Sequence, residues 1–269
     1  MSGPLLILQT GNVPRRFGLR DGFGEMFARR AGLAPDDFRI LDAARGPGYP
    51  RDPRAHCAYI VTGSLSMVTA RPLWSLRLAD FILRAVESGV PVLGVCYGHQ
   101  LVARALGGRV GWNPNGLEMG THEVTLAPGA EGHPLLRGLP PSFPANLSHR
   151  QSILDPPPGG RPLAFSAADP CQILAVGEKV LTLQFHPEFD RWIASAFARE
   201  HFTTKDGRTV PLLRRPPRGA PAGLSLGVPV RNTPVAALIL RRFVEGALPR
   251  HRARLAPAGF GDVQAPGNA

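Results

Sequence analysis

The sequence predicts an α/β protein with a central, mostly parallel sheet and a small antiparallel β element. Short runs rich in Val, Ile and Leu recur through the first hundred residues. They are too brief for helices, and they do not alternate with polar residues, which is how strands covered on both faces read. Segments of helical spacing separate them, so strand, helix and strand succeed one another as right-handed βαβ units. Beyond Gly108 the pattern changes to short strands and turns, with alternation over 118–126, which predicts the antiparallel part.

Pro4–Gly11 reads as a first strand running into a glycine turn. Residues 15–32 have helical spacing in part, with Phe17, Phe23, Met26 and Phe27 expected on the side facing the sheet. Phe38–Asp42 is a second strand, followed by a Pro/Gly/Arg-rich loop from Ala43 to Arg54. Cys57–Ser64 is a third strand that ends in a turn at Gly63. A helix over 72–89 begins at Pro72, a favoured first position, and stops at Gly89. Phe143–His149, Leu163–Ser166, Gln172–Val176 and Val180–His186 read as further strands, and 190–202 as a helix. These form one expected domain, residues 1–202. A Pro/Gly/Arg-rich loop or insertion follows at 203–233. A helix at 234–247 is expected to pack back on the same domain through Val235, Leu238, Ile239, Leu240 and Phe243. The tail, 248–269, reads as disordered.

The chemistry gathers in two stretches. Val90–Gly108 opens as a buried strand and closes as an Ala/Leu-rich helix with a Gly107-Gly108 stop. Between them Gly94-Val95-Cys96-Tyr97-Gly98 is the cysteine version of a nucleophile elbow. So sharp a turn needs glycines two residues either side, because a Cβ there would meet the neighbouring strand or helix. Cys96 then sits at a helix N-terminus, where the dipole favours a thiolate and backbone N–H groups can hold an oxyanion. The second stretch, Val180–Phe189, is an apolar run ending in His186-Pro187-Glu188. Together they supply a nucleophile, a base and an acid to orient the base. If 186–188 continue the strand, His186 and Glu188 share a side.

With G-x-C-x-G-x-Q and Q-F-H-P-E both present, residues 4–200 or so resemble the class I glutamine amidotransferases. The likeness is greatest to the glutaminase domain of GMP synthase and its stand-alone relatives. The resemblance implies a flavodoxin-like three-layer sandwich, with a short helix at His133–Leu139. It implies Cys96 as nucleophile, His186 as base and Glu188 as its orienting acid, cleaving a γ-amide through a γ-glutamyl thioester. It further implies backbone donors at Gly63 and Tyr97 for the oxyanion, although Gly63 also suits a plain left-handed turn. Gln100 is expected to meet the α-amino-acid end of the substrate, or to be a helix-surface glutamine. His99 is expected to pack or hydrogen-bond beneath the elbow.

Ser148-His149-Arg150-Gln151 stands where the GMP-synthase-like relatives have Ser-His-Gly-Asp, a segment that contacts the glutamine. Ser148 and His149 match; Arg150 replaces the glycine and Gln151 the aspartate. The departures argue against free glutamine bound in the usual way and leave two readings, a modified γ-glutamyl compound or an altered affinity, with Arg150 either pairing with an extra carboxylate or turned to solvent. Two enzymatic forms remain open: a subunit that hands ammonia to a separate synthetase, and a free-standing γ-glutamyl peptidase. A cysteine α/β-hydrolase would place the acid before the histidine, and a non-enzymatic binding member of the superfamily would not need the triad.

The net charge is +11 over 269 residues, with 29 arginines and two lysines. Residues 205–269 carry eleven basic residues against three acids. These are not interleaved with aromatics, so no nucleic-acid partner is expected. No run of eighteen apolar residues predicts a membrane span, and Leu5–Leu8 is too short for a signal peptide. Cys57, Cys96 and Cys171 are an odd, sparse set that argues for a reduced, cytoplasmic enzyme. No Cys or His pair has zinc-ligand spacing, so neither metal nor cofactor is expected.

Overall fold

The computed structural model describes residues 3–46, 48–200 and 230–248. Its strands are β1 (Leu5–Gln9), β2 (Phe38–Asp42), β3 (Tyr59–Val61), β4 (Val92–Val95), β5 (Arg109–Trp112) and β6 (Glu118–Leu126). They continue as β7 (Ser142–His149), β8 (Gln151–Asp155), β9 (Gly160–Phe165), β10 (Ile173–Val176) and β11 (Val180–Leu183). The helices are α1 (Phe23–Ala31), α2 (Leu73–Glu87), α3 (Tyr97–Ala105), α4 (Arg191–Glu200) and α5 (Pro234–Ala247). Nine strands form one sheet, in the order β2-β1-β3-β4-β11-β10-β9-β6-β7. It is parallel from β2 to β11 and antiparallel from β11 to β7. β5 and β8 pair antiparallel in a separate two-stranded sheet, so the expected small antiparallel element is present, built from two strands that the sequence pattern had not singled out.

The parallel half reads as unbroken apolar runs because both of its faces are covered. Along β1, Leu5 and Ile7 enter a core with Phe27 of α1 and Ile239 and Leu240 of α5. Leu6 and Leu8 face the other way, into a core with Leu78 and Phe81 of α2 and Leu101 of α3. The two-residue period of a strand therefore splits one apolar run between two helix layers. This is a three-layer α/β sandwich, with the mixed sheet in the middle.

Several expectations change. Residues 15–32 give a 3₁₀ turn at Arg15–Phe17 and then α1, because Gly18 is left-handed and Gly22 is extended. Of the four residues expected to face the sheet, only Phe27 reaches its core. Phe17, Phe23 and Met26 pack instead with Phe189, and with Ile193 and Phe197 of α4. His133–Leu139 is not a helix: the chain runs through three-residue turns, from His133 N–H to Ala130, Leu136 to His133 and Leu139 to Leu136. Pro134 lacks an N–H, and Gly138 adopts φ 70°. β11 ends at Leu183, short of His186. The sequence-predicted loop over 203–233 and tail over 248–269 lie, apart from residues 230–233 and 248, outside the described residues. Among those described, no helix is long and apolar enough to cross a membrane.

The buried stripe of α5 differs from the one read from the sequence. Ala236, Ile239, Leu240, Phe243 and Val244 form its buried stripe, whereas Leu238 is 36% exposed. Leu240→Ala should therefore cost about 2–5 kcal/mol, and Leu238→Ala under about 1 kcal/mol. Urea unfolding of both variants checks this; equal losses would mean that α5 does not present this stripe.

Candidate active site

β4 passes into α3 through a single residue, Cys96, at φ 52° and ψ −101°. A side chain in such a conformation costs about 1–3 kcal/mol and persists only where its surroundings over-determine it. Here the Cys96 N–H is bound to the Leu183 carbonyl at 2.8 Å, and its carbonyl accepts the Gln100 N–H at 3.1 Å. The flanking glycines are required by contact. A Cβ on Gly94 would stand 2.6 Å from the Gly98 carbonyl oxygen, and one on Gly98 would overlap the carbonyl of Val61. Strand, turn and helix are pressed together at the carboxyl end of a central strand, where open α/β sheets hold their sites.

His186 and Glu188 meet by a turn and not by strand alternation. Pro187 has no N–H to extend a ladder. The Phe189 N–H instead reaches back to the His186 carbonyl at 3.4 Å. Within that turn Glu188 Oε1 lies 2.8 Å from His186 Nδ1. The Cys96 side chain interacts with the same ring. Burial alone would push the His186 pKa down. The attraction of Glu188 and then of Cys96, with hydrogen bonds to both, carries it up to about 10.

Gly63 closes on this pair. A Cβ there would come 2.9 Å from His186 Cε1 and 3.6 Å from the Cys96 Cβ. Its φ lies outside the left-handed region, so close approach rather than a left-handed turn requires the glycine. The carbonyl of the preceding peptide, on Thr62, accepts the Gly98 N–H at 3.2 Å and Thr10 Oγ1 at 3.0 Å. The Gly63 N–H, in the same trans peptide, therefore points the opposite way. Among the described residues, neither the Gly63 N–H nor the Tyr97 N–H has an acceptor.

The other expected site residues divide into those that line the cleft and those that brace it. Ser148, His149 and Arg150 line it together with Cys96 and His186. The Ser148 carbonyl is 3.7 Å from Cys96 Sγ. Phe23, Leu65, Met67, Leu117, Met119 and Phe197 form an apolar wall. Gln100 neither lines the cleft nor lies on a helix surface. It is buried, and its Nε2 donates to the Gln151 carbonyl at 2.6 Å and to Gln184 Oε1 at 2.9 Å, which ties α3 to the 148–151 segment. Gln151 turns its own amide to Thr69 Oγ1 at 2.5 Å. His99 is buried under the elbow, bonded to Thr182 Oγ1 at 2.7 Å, with its pKa pushed down to about 3 by burial and by neighbouring His149.

Sequence reading missed the partners of His149. Its Nε2 is 2.8 Å from Glu118 Oε2, and its Nδ1 is 3.0 Å from the Gln151 carbonyl oxygen. Burial opposes the charge on Glu118, yet hydrogen bonds from His149 and Ser166 hold its pKa below the usual carboxylate range. Asp169 is displaced the other way by its burial. Ligand atoms of Glu118, His149 and Asp169 lie within 4.8 Å of one another, a set that metal ions use. Glu118 and His149 already satisfy each other there, so a cation would have to displace existing hydrogen bonds. The three come from β6, β7 and the segment before β10, and no local spacing links them.

Residues 75–195 match the sequence model of the family Glutamine amidotransferase class-I. A glutamine-hydrolyzing GMP synthase of Aeropyrum pernix is 37% identical over 116 residues, 43% of this chain and 22% of that protein. Gamma-glutamyl peptidase 4 of Arabidopsis thaliana is 29% identical over 167 residues, 58% of this chain and 62% of the relative. The matched region thus spans less than two thirds of either relative. The crystal structure of a glutamine amido transferase from Methylobacillus flagellatus covers 98% of this chain and 100% of its own. Its TM-score is 0.63 at 21% identity, a likeness of fold.

The raised His186 pKa carries a stability signature. The charged ring is favoured in the fold, so its contribution is complete below the ordinary value near 6.5 and is lost as pH rises through about 10. Urea midpoints should fall over that window, and Glu188→Gln should flatten the fall. Parallel curves for the two proteins would show that Glu188 does not hold the charge.

Proposed function

We propose that this chain, whose residues 75–195 match the class I glutamine amidotransferase family, hydrolyses the γ-amide of glutamine or of a γ-glutamyl compound. The observation that carries this reading is the meeting of Cys96 and His186 in one cleft, with Glu188 bonded to His186 from behind and Gly63 against both. In the reaction, the Cys96 proton passes to His186, and the sulfur attacks the γ-carbonyl carbon. The N–H groups of Gly63 and Tyr97 hold the resulting oxyanion; one such donor is worth about 3–4 kcal/mol in the transition state. His186 then returns the proton to the departing ammonia or amine, leaving a γ-glutamyl thioester. A water molecule, giving its proton to His186, attacks the thioester. Glutamate leaves, and the proton returns to Cys96. Glu188 keeps His186 in one tautomer and balances its charge throughout.

A γ-glutamyl peptide is the substrate class we favour. Arg150 and the apolar side chains that line the cleft offer a larger substrate a charged partner and an apolar surface, and the peptidase relative supports the reading. The GMP synthase relative supports a second form, in which ammonia goes to a separate synthetase. Assaying ammonia and glutamate release over glutamine and a panel of γ-glutamyl amides separates the two.

Cys96→Ala should abolish turnover with the fold intact, while Cys57→Ala and Cys171→Ala keep it. Burial pushes the Cys171 thiol up to about 12, which makes it a poor nucleophile. A Cys171 variant as inactive as the Cys96 variant would identify a different nucleophile. Arg150→Gly should lower kcat/KM about tenfold or more for a γ-glutamyl peptide, through loss of one charge-assisted bond of roughly 1.5–3 kcal/mol, and spare glutamine. Equal effects on both substrates would remove Arg150 from selection.

A further inference from the structure

We propose that Phe189 is a positioning residue for His186: its ring lies flat against the imidazole, fixes the plane of that ring and favours its charged form. The inference rests on the reading of His186 as the catalytic base. The two ring centroids are 4.0 Å apart, with the planes only 10° from parallel. This follows from the turn described above. His186 and Phe189 are the first and fourth residues of a hydrogen-bonded turn with Pro187 second, and such a turn sets its end residues side by side. Glu188, the third residue, reaches an edge of the imidazole, whereas Phe189 covers a face.

The covering ring is itself clamped. Phe197 of α4 stands 4.7 Å from Phe189, and Phe17 meets Phe197 edge-on at 4.8 Å. The Asp190 carboxylate accepts the N–H groups of Trp192 and Ile193, so α4 starts immediately after the turn. Behind the turn, Arg30 Nε donates to the Pro187 carbonyl at 3.4 Å. The imidazole therefore has little freedom to rotate out of line with Cys96.

The π face of a phenyl ring is its electronegative side, so a cation stacked there is stabilised, and more strongly when water is excluded. His186 and Phe189 are 3% and 1% exposed. The charged and titratable groups around the imidazole are Cys96 from the elbow, Glu188 from its own turn, and His149 and Arg150 across the cleft. Arg30 of α1 and Asp190 lie behind Pro187 and interact with each other. Among the described residues none of these is stacked on the imidazole, whereas Phe189 lies flat against its face.

The test reads His186 directly, by ¹⁵N NMR of its ring nitrogens across pH in the full chain. Phe189→Met keeps the volume and removes the π face; Phe189→Tyr keeps the face. The midpoint should fall by about half to one and a half pH units in Phe189→Met. In Phe189→Tyr it should stay near that of the parent. In parallel, the alkaline limb of the kcat/KM profile should move down in Phe189→Met, with roughly a two- to thirtyfold loss above it. If Phe189→Met does not fold, a fluorinated phenylalanine placed at 189 preserves ring size and withdraws electron density, and the midpoint should fall with each fluorine. An unchanged midpoint in the folded variants, even with lower turnover or Tm, would overturn the proposal and leave Phe189 a packing residue. Turnover surviving Cys96→Ala would instead sink the catalytic reading of His186, while the ring titration would still report on the stack.

Discussion

Everything at the cleft depends on how closely three backbones approach one another at the elbow. Cys96 adopts a strained φ of 52° because β4, α3 and the end of β3 leave the chain no other path. Gly94, Gly98 and Gly63 are the positions at which a single Cβ would force these elements apart. The same crowding puts the sulfur at the start of α3 and turns the Thr62 carbonyl towards Gly98 and Thr10, leaving the Gly63 N–H on the opposite side. A thiol, a helix N-terminus and two backbone donors are thus consequences of one packing constraint, in which strain at one residue is offset by the bonds of its neighbours.

A second constraint is electrostatic. Two histidines are buried beside the cleft, and each meets its own glutamate. His186 finds Glu188 within one turn, at a sequence distance of two; His149 finds Glu118 across paired strands, thirty-one residues away. His99, buried without an acid, is carried down to about 3 and stays neutral under the elbow. Burial disfavours the charged ring at both His186 and His99; at His186 the attraction of Glu188, followed by that of Cys96, outweighs it, and His99 has no such partner.

Legibility varied with how local the determining physics was. The parallel half of the sheet could be read because its strands are covered on both faces, as the two cores along β1 demonstrate. The glycines of the elbow could be read because their reason lies two residues away. The His186–Glu188 pair was found through the wrong geometry: β11 stops at Leu183, and a proline turn does what strand alternation was expected to do. Leu238 was misplaced for a similar reason, since several apolar residues compete for one helix stripe and only the packing partner chooses among them.

The sequence by itself determined the α/β class, the elbow with its glycines, and the proximity of His186 to Glu188, because each is set within a few residues. Tertiary structure alone decided the rest. It drew Gln100 inward to brace the 148–151 segment, joined His149 to Glu118, and stacked Phe189 on His186 under the cover of Phe197. Gly63 was legible as a glycine turn, yet its reason, contact with His186, appeared only once β3 and the 186–189 turn lay side by side. Contacts between residues far apart in sequence leave no period and no spacing, so only the folded chain records them.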